Sequence, residues 1–444
     1  MQVLDGLLAD LKTACCGFPD KRSGIGEAVY SMADIGLSAF SLFFMQSESF
    51  LAHQRELEDG RKTSNCQTLF GMAKIPTDNH IRSMLDPVSP ALLQPVFDSA
   101  LAALRDGGGM RAFQRLGGRA LIALDETEYF CSQKIGCPQC LTRKRSSGKI
   151  ESYHAMLSAT LVAPGHAMVM PLMPEFIAKQ DGAQKQDCER SAAKRWLAAN
   201  GERVAPLRPV YLGDDLFACQ PIAEAVLASG GDFLFTAKPD SHKTLYDFMG
   251  GAAPQELTLQ KRDGTKKLTW RCRWFADVPP REGKDALDVT WVGLTITDAK
   301  GKQVYDGAFV TSLTVSKDNV AAIAECARAR WKIENENFNV LKNNGYHLEH
   351  NFGHGKQNLA MSRRMRSIRP EFAALNLLAF AIHTVCDALS DLWIRARDVK
   401  RARKRFFEHI RTITAYLVFP SWEALMQTLI DSKPPPEIGK QITV

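Results

Sequence analysis

The chain has 444 residues, 45% hydrophobic and 24% charged, with a formal net charge of +7. That balance excludes a disordered or fibrous chain, and the length implies more than one compact core. The sequence reads as free of membrane spans, because Leu37–Phe44 is short and lacks a basic start, so a cytoplasmic protein is expected.

Residues 1–115 read as helical, with Leu4, Leu7, Leu8 and Leu11, and again Leu93, Val96, Phe97 and Leu101, at helical spacing. Gly107-Gly-Gly109 and Gly117-Gly118 break that pattern. From 116 to 245 short apolar runs predict strands at Ala120–Leu124, Tyr153–Val162, Ala167–Met173, Pro209–Leu212 and Phe233–Thr236. Helices are predicted at Gln186–Ala199 and Pro221–Ser229. Residues 246–316 return to a β pattern, at Lys267–Phe275, Leu287–Ile296 and Val304–Leu313, and read as an inserted all-β subdomain. Residues 317–355 start with one long helix or two over Lys317–Leu341. Residues 356–444 are helical and end in the Pro-rich stretch Lys433–Pro436. The order strand, strand, strand, helix, strand, helix, strand is that of an RNase H-like α/β core, here flanked by helical N- and C-terminal regions.

Three carboxylates stand out against this pattern. Asp125 ends the run Leu121-Ile-Ala-Leu, and Asp214 ends Pro209-Val-Tyr-Leu-Gly213. Glu334 lies in the helical stretch Arg330-Trp-Lys-Ile-Glu334. Phosphodiester cleavage needs an in-line nucleophile and neutralised charge on the phosphorus oxygens, which two divalent ions supply together. Mg²⁺ or Mn²⁺ prefers oxygen ligands, so carboxylates far apart in sequence but close in space are the fitting groups. Asp215 and Glu336 are neighbouring alternatives within the same pattern.

On Leu124-Asp-Glu-Thr127, Leu212-Gly-Asp-Asp-Leu-Phe217 and Arg330-Trp-Lys-Ile-Glu334 with Phe338 and Lys342, the chain resembles the DDE transposases of bacterial insertion sequences. In that group a β insertion separates the second aspartate from the glutamate. The resemblance covers roughly 115–355. It implies Asp125, Asp214 and Glu334 as the catalytic triad, two Mg²⁺ or Mn²⁺ ions, and phosphate contacts from Arg330 and Lys342. It also implies double-stranded DNA partners, both transposon ends and target, a homodimer on that DNA, and end recognition by the N-terminal helical region. Two departures are visible: Ala327 stands where the group often has a tyrosine, and Lys342 falls one residue late. An RNase H-like nuclease without strand transfer shares the same carboxylates. A DNA-binding relative without catalysis is the third reading. Trp331 and Phe338 read as packing residues.

Eleven cysteines without a secretory pattern suggest reduced thiols. Cys131, Cys137 and Cys140 follow the first strand, and Cys137-Pro-Gln-Cys140 has the form of half a zinc knuckle, with His154 the nearest further ligand. Ordinary thiols are the alternative. Arg143, Lys144 and Arg145 then read as a basic loop suited to a phosphate backbone, as do Arg401, Arg403, Lys404 and Arg405 on a C-terminal helix. Both are read against the plain alternative of a solvated charged face. His347, His350 and His354 read as a polar loop near the site.

Overall fold

A computed structural model describes residues 1–22, 29–58, 64–137, 139–178, 187–350 and 370–432. His354, Arg363, Arg364, Arg366 and the Pro-rich stretch from Lys433 lie outside these residues.

The fold is mixed α/β, with one large open sheet and flanking helices. Its main strands are β1 (Arg119–Ser132), β2 (Leu141–Lys144), β3 (Ile150–Val162), β4 (Val210–Gly213), β5 (Asp232–Thr236), β6 (Gln255–Asp263), β7 (Lys266–Val278), β8 (Val289–Asp298) and β9 (Gln303–Thr311). They lie side by side in the order β2-β3-β1-β4-β5-β9-β8-β7-β6. Two short strands, Met170–Pro171 and Glu175–Ile177, also pair with β3. The longer strand expected at Ala167–Met173 is interrupted because Pro171 and Pro174 each lack a ladder N–H.

β1 and β3 are antiparallel, whereas β1–β4 and β4–β5 are parallel. Parallel neighbours need crossovers, which the helices Glu189–Val204 and Gln220–Ala228 provide. Strands covered on both faces become continuously apolar, and Ala120–Leu124 and Val210–Leu212 are wholly buried. The first crossover helix is tied down by Trp196, whose Nε1–H donates to the Met173 carbonyl at 2.7 Å and whose ring meets Tyr211 edge-on.

The expected β block is present at 255–311, and it is hydrogen-bonded to the core sheet. β6 to β9 form an antiparallel meander, and β9 pairs with β5 through Val310 opposite Phe235. The block therefore extends the core sheet.

The N- and C-terminal helical regions likewise share one core. Met32–Phe44 is a helix buried almost all round. Phe44 meets His383 at 4.4 Å and Trp422 at 5.3 Å between ring centres. Asn65 donates to the carbonyls of Thr414 and Leu417, both at 2.8 Å. The helix Pro370–Leu389 has 20 residues and a window of mean hydropathy 1.7, long and apolar enough to cross a bilayer, yet 89% of that window is buried within the protein. It lies within the helical region expected from 356 onward, and Asn376, His383, Thr384 and Asp387 interrupt its apolar run.

After β9 the chain forms the helix Val320–Arg328, then a π-helical turn at Ile333–Phe338, then a short helix at Asn339–Asn343. Glu334 sits in the π turn. Such turns are rare and occur frequently at functional sites.

Candidate functional site

Strand register brings the two aspartates together. The β1–β4 ladder ends at Ala123 opposite Leu212. Asp125 and Asp214 each lie two residues further on, so they occupy equivalent positions on the same face of adjoining strand ends. On the other side Asp125 is paired with Ser158 of β3.

The π turn lies against this corner. Asn337 is fully buried and its Nδ2 donates to Ser158 Oγ at 3.1 Å and Thr160 Oγ1 at 2.8 Å. That anchor holds Glu334 one turn away, above the strand ends. Arg330 joins helix and sheet: its Nη1 lies 2.7 Å from Glu334 Oε1 and 3.2 Å from Asp125 Oδ2. Asn337→Ala leaves two buried hydroxyls without their donor. The expected cost is about 1–3 kcal/mol in urea unfolding. Unchanged stability would show that the amide does not anchor the turn.

Burial pushes the Asp125 carboxyl up to about 7, with Arg330 opposing and Glu334 and Asp214 adding to the rise. A further carboxylate feels the same charges. Burial raises Glu189 to about 8, with Asp125, Glu126 and Asp214 as further causes, and its Oε1 is buried without a hydrogen-bond partner. Sequence reading missed Glu189 because an acid in the first turn of a helix is an ordinary dipole partner. The only signal was its position at the start of the crossover into the Asp214 strand.

The neighbouring acids have other surroundings. Asp215 Oδ1 accepts from the Lys238 backbone N–H at 2.6 Å and lies 3.1 Å from His242 Nε2. Asp214 accepts only a local bond from the Leu216 N–H at 2.8 Å among its described partners. Glu336 faces a separate cavity, lined also by His166, Asp387 and Arg403. Asp125, Asp214 and Glu334 do not close to within one ion's reach of each other. Among the described residues, the group whose ligand atoms all lie within 4.8 Å of one another is Cys137, Cys140 and His154. Cys131 stands apart from it, with Sγ 3.5 Å from Glu151 Oε2.

The basic residues divide into paired and exposed. Arg143 lies in β2, not in a loop, and its guanidinium is paired with Glu128 and Glu151. Arg145 also pairs with Glu151, at 2.6 Å, whereas Lys144 is exposed. Lys342 pairs with Glu349 at 2.7 Å. Arg403 is turned inward, 3.0 Å from Asp387 and 2.9 Å from the Tyr346 hydroxyl. Arg401, Lys404 and Arg405 are exposed at the start of the helix Arg403–Tyr416. Phe338 is buried as expected, but Trp331 is 43% exposed, beside Arg330. The Trp331 ring lies beside the Lys332 ammonium, 4.8 Å from the ring centre, at the rim of a cavity.

The corner thus gathers oxygen donors around a single guanidinium, partly withdrawn from water. A cluster in which four carboxylates share one guanidinium, and in which burial raises Asp125 and Glu189, is chemically suited to a divalent cation. Comparison with models of known families gave no match, and comparison with curated proteins gave none.

Proposed function

We propose that the chain is a DDE-type transposase that binds the terminal inverted repeats of a mobile element and catalyses metal-dependent strand cleavage and transfer. The observation that carries this reading is the parallel β1–β4 register, with Asp125 and Asp214 on equivalent positions under the Glu334 helix. The sheet order supports it as well. Counting the short strands at 170–177 as third, β3 as second, β1 as first, β4 as fourth and β5 as fifth, the order is 3-2-1-4-5, as in RNase H-like cores.

Asp125, Asp214 and Glu334, with Glu189 beside them, would hold Mg²⁺ or Mn²⁺; an oxygen-only donor set suits these hard ions. Bound there, the ions supply charge neutralisation at the phosphorus oxygens and a stronger nucleophile. Asn337 fixes the height of Glu334. Arg330 balances Asp125 and Glu334 and has Nη1 within reach of both, so it is also the nearest cation to an incoming phosphate. Trp331 offers an exposed aromatic face for a base. Lys144, Arg401, Lys404 and Arg405 are the exposed cations that suit the DNA backbone. Two copies would act together, one on each end.

Duplex DNA carrying the element's ends, incubated with the protein in Mg²⁺, is the direct test. Cleaved 3′ ends joined to a second duplex are the expected products. Cleavage without joining would favour a nuclease, and binding without cleavage in either Mg²⁺ or Mn²⁺ would end the enzymatic reading.

Proton release gives a second check. Because Asp125 is held at about 7 and Glu189 at about 8, cation binding must displace protons at neutral pH. The Mg²⁺ concentration for half-maximal cleavage should fall roughly tenfold per pH unit for each proton displaced, between about pH 6 and 7.5. Glu189→Gln should flatten that slope and weaken Mg²⁺ dependence. A pH-independent midpoint would remove both groups from the cation site.

A further inference from the structure

We propose that Cys137, Cys140 and His154 form a zinc site that pins the far end of the β1–β3 hairpin, separate from the carboxylate corner. Three donor atoms already define one face of a tetrahedron. Cys137 Sγ and Cys140 Sγ lie 3.4 and 3.3 Å from His154 Nε2, and the two sulfurs are 3.6 Å apart. Zinc bonds of about 2.3 Å to sulfur and 2.0–2.1 Å to nitrogen at tetrahedral angles call for edges of roughly 3.5–3.8 Å. The site needs only to open by a few tenths of an ångström.

The local backbone is shaped for the same ion. The Cys140 N–H donates to the Cys137 carbonyl at 3.1 Å, closing a tight turn that turns both sulfurs to one side. The Cys137 N–H donates to Cys140 Sγ at 3.2 Å, which holds that sulfur in place. His154 comes from the middle of β3, is almost fully buried, and stacks on Tyr129 at 5.8 Å between ring centres. A strand-borne histidine held by a neighbouring ring is a rigid ligand.

Charge decides which metal fits. Two thiolates and a neutral imidazole cancel the charge of a divalent ion, so the filled site is electrically neutral in a partly buried place. Sulfur and nitrogen donors select zinc over magnesium, which prefers oxygen. Each thiol gives its proton to solvent as its sulfur binds. Among the described residues the group comprises these three donors.

The site lies away from the chemistry. His154 is paired with Phe130, five residues along β1 from Asp125, or about 17 Å. Its reach is structural: it clamps Cys137 and Cys140 onto β3 and so sets the start of β2. That strand carries Arg143 and Lys144, and its pairing with β3 begins at Leu141 opposite Tyr153, one residue from His154.

Elemental analysis of the full-length protein, purified without added metal, should find about one zinc per chain. Cys137→Ser and Cys140→Ser should each lose most of it, while Cys131→Ser and Asp125→Asn keep it. Should the serine variants fail to fold, the unmodified protein serves instead. Chelation should then free two additional thiols to a thiol-reactive dye, and Co²⁺ refilling should restore protection with thiolate-to-cobalt absorption. Absence of zinc from the unmodified protein, zinc retained in both serine variants, or a Cys137–Cys140 disulfide in place of the ion would each overturn the proposal.

Discussion

Asp125→Asn and Asp214→Asn are each expected to lower metal-dependent DNA cleavage by roughly 10³-fold or more, which at 1.36 kcal/mol per decade is about 4 kcal/mol of lost transition-state stabilisation. An amide keeps the shape of a carboxylate but not its charge, so DNA binding should persist. Asp215→Asn is the informative control. Its carboxylate is occupied by the Lys238 N–H and His242, so that change should act on stability by about 1 kcal/mol and leave most of the activity. Equal loss in all three variants would mean that the corner, not a particular pair, had been disrupted. Both Asp125→Asn and Asp214→Asn cleaving normally would sink the triad. The same asparagine has a stability signature. Asp125 has its folded pKa raised from 3.8 to about 7. Its contribution is therefore fully present below about pH 4 and is lost as pH rises through 7. Without divalent ions, the unmodified protein should lose stability over that window by more than Asp125→Asn does, and thermal unfolding at pH 5 and pH 8 compares the two directly.

The largest effect on stability is expected at Asp387. Its carboxylate is almost wholly buried and meets Arg397, Arg403 at 3.0 Å and the Trp393 Nε1–H at 2.9 Å. Arg403 in turn lies over the Phe380 ring and donates to Tyr346, whose hydroxyl lies 2.6 Å from His383 Nδ1. Asp387→Ala would leave two guanidinium groups beside a buried core with no counter-charge, which typically costs about 3–5 kcal/mol. Arg403→Ala should follow the same pattern: a lower melting temperature and an unchanged salt dependence of DNA binding. Arg401, Lys404 and Arg405 should do the reverse. Each alanine there is expected to reduce the salt slope by about one unit for every DNA phosphate the native side chain neutralises, with melting unchanged. If Arg403→Ala alters the salt slope as its neighbours do, the inward ion network does not hold it away from DNA.

The contrast between Arg403 and Arg401 shows where the sequence stops being informative. Both lie in one basic run, and only the packing of the following helix against Phe380 and Asp387 turns one inward. β1 and β4 were legible because a strand covered on both faces must be apolar throughout. β6 was not, because Gln255–Asp263 is an edge strand whose outward residues are polar, and β2 has just four residues, two of them basic. The joining of β9 to β5 leaves no local trace, since Val310 and Phe235 are 75 positions apart. His154 was visible as the nearest histidine to the cysteine pair. β3 presents it toward the Cys137–Cys140 turn. Glu189 was invisible because its role depends on burial, which composition does not report.

The π turn bears on the spacing at which this chain departs from the pattern of the proposed family. A hydrogen bond from i to i+5 encloses one residue more than the α-helical bond does. Lys342 lies one residue further from Glu334 than that group's pattern has it. In an unbroken α-helix the extra residue would swing the lysine by about 100° around the axis. The wide turn at Ile333–Phe338 encloses one residue more than an α-turn, which is the number by which the spacing is long. Under the proposed transposase reading, the slipped spacing along the chain would be an insertion that the wide turn accommodates, and Lys342 rather than Leu341 would be the matching residue.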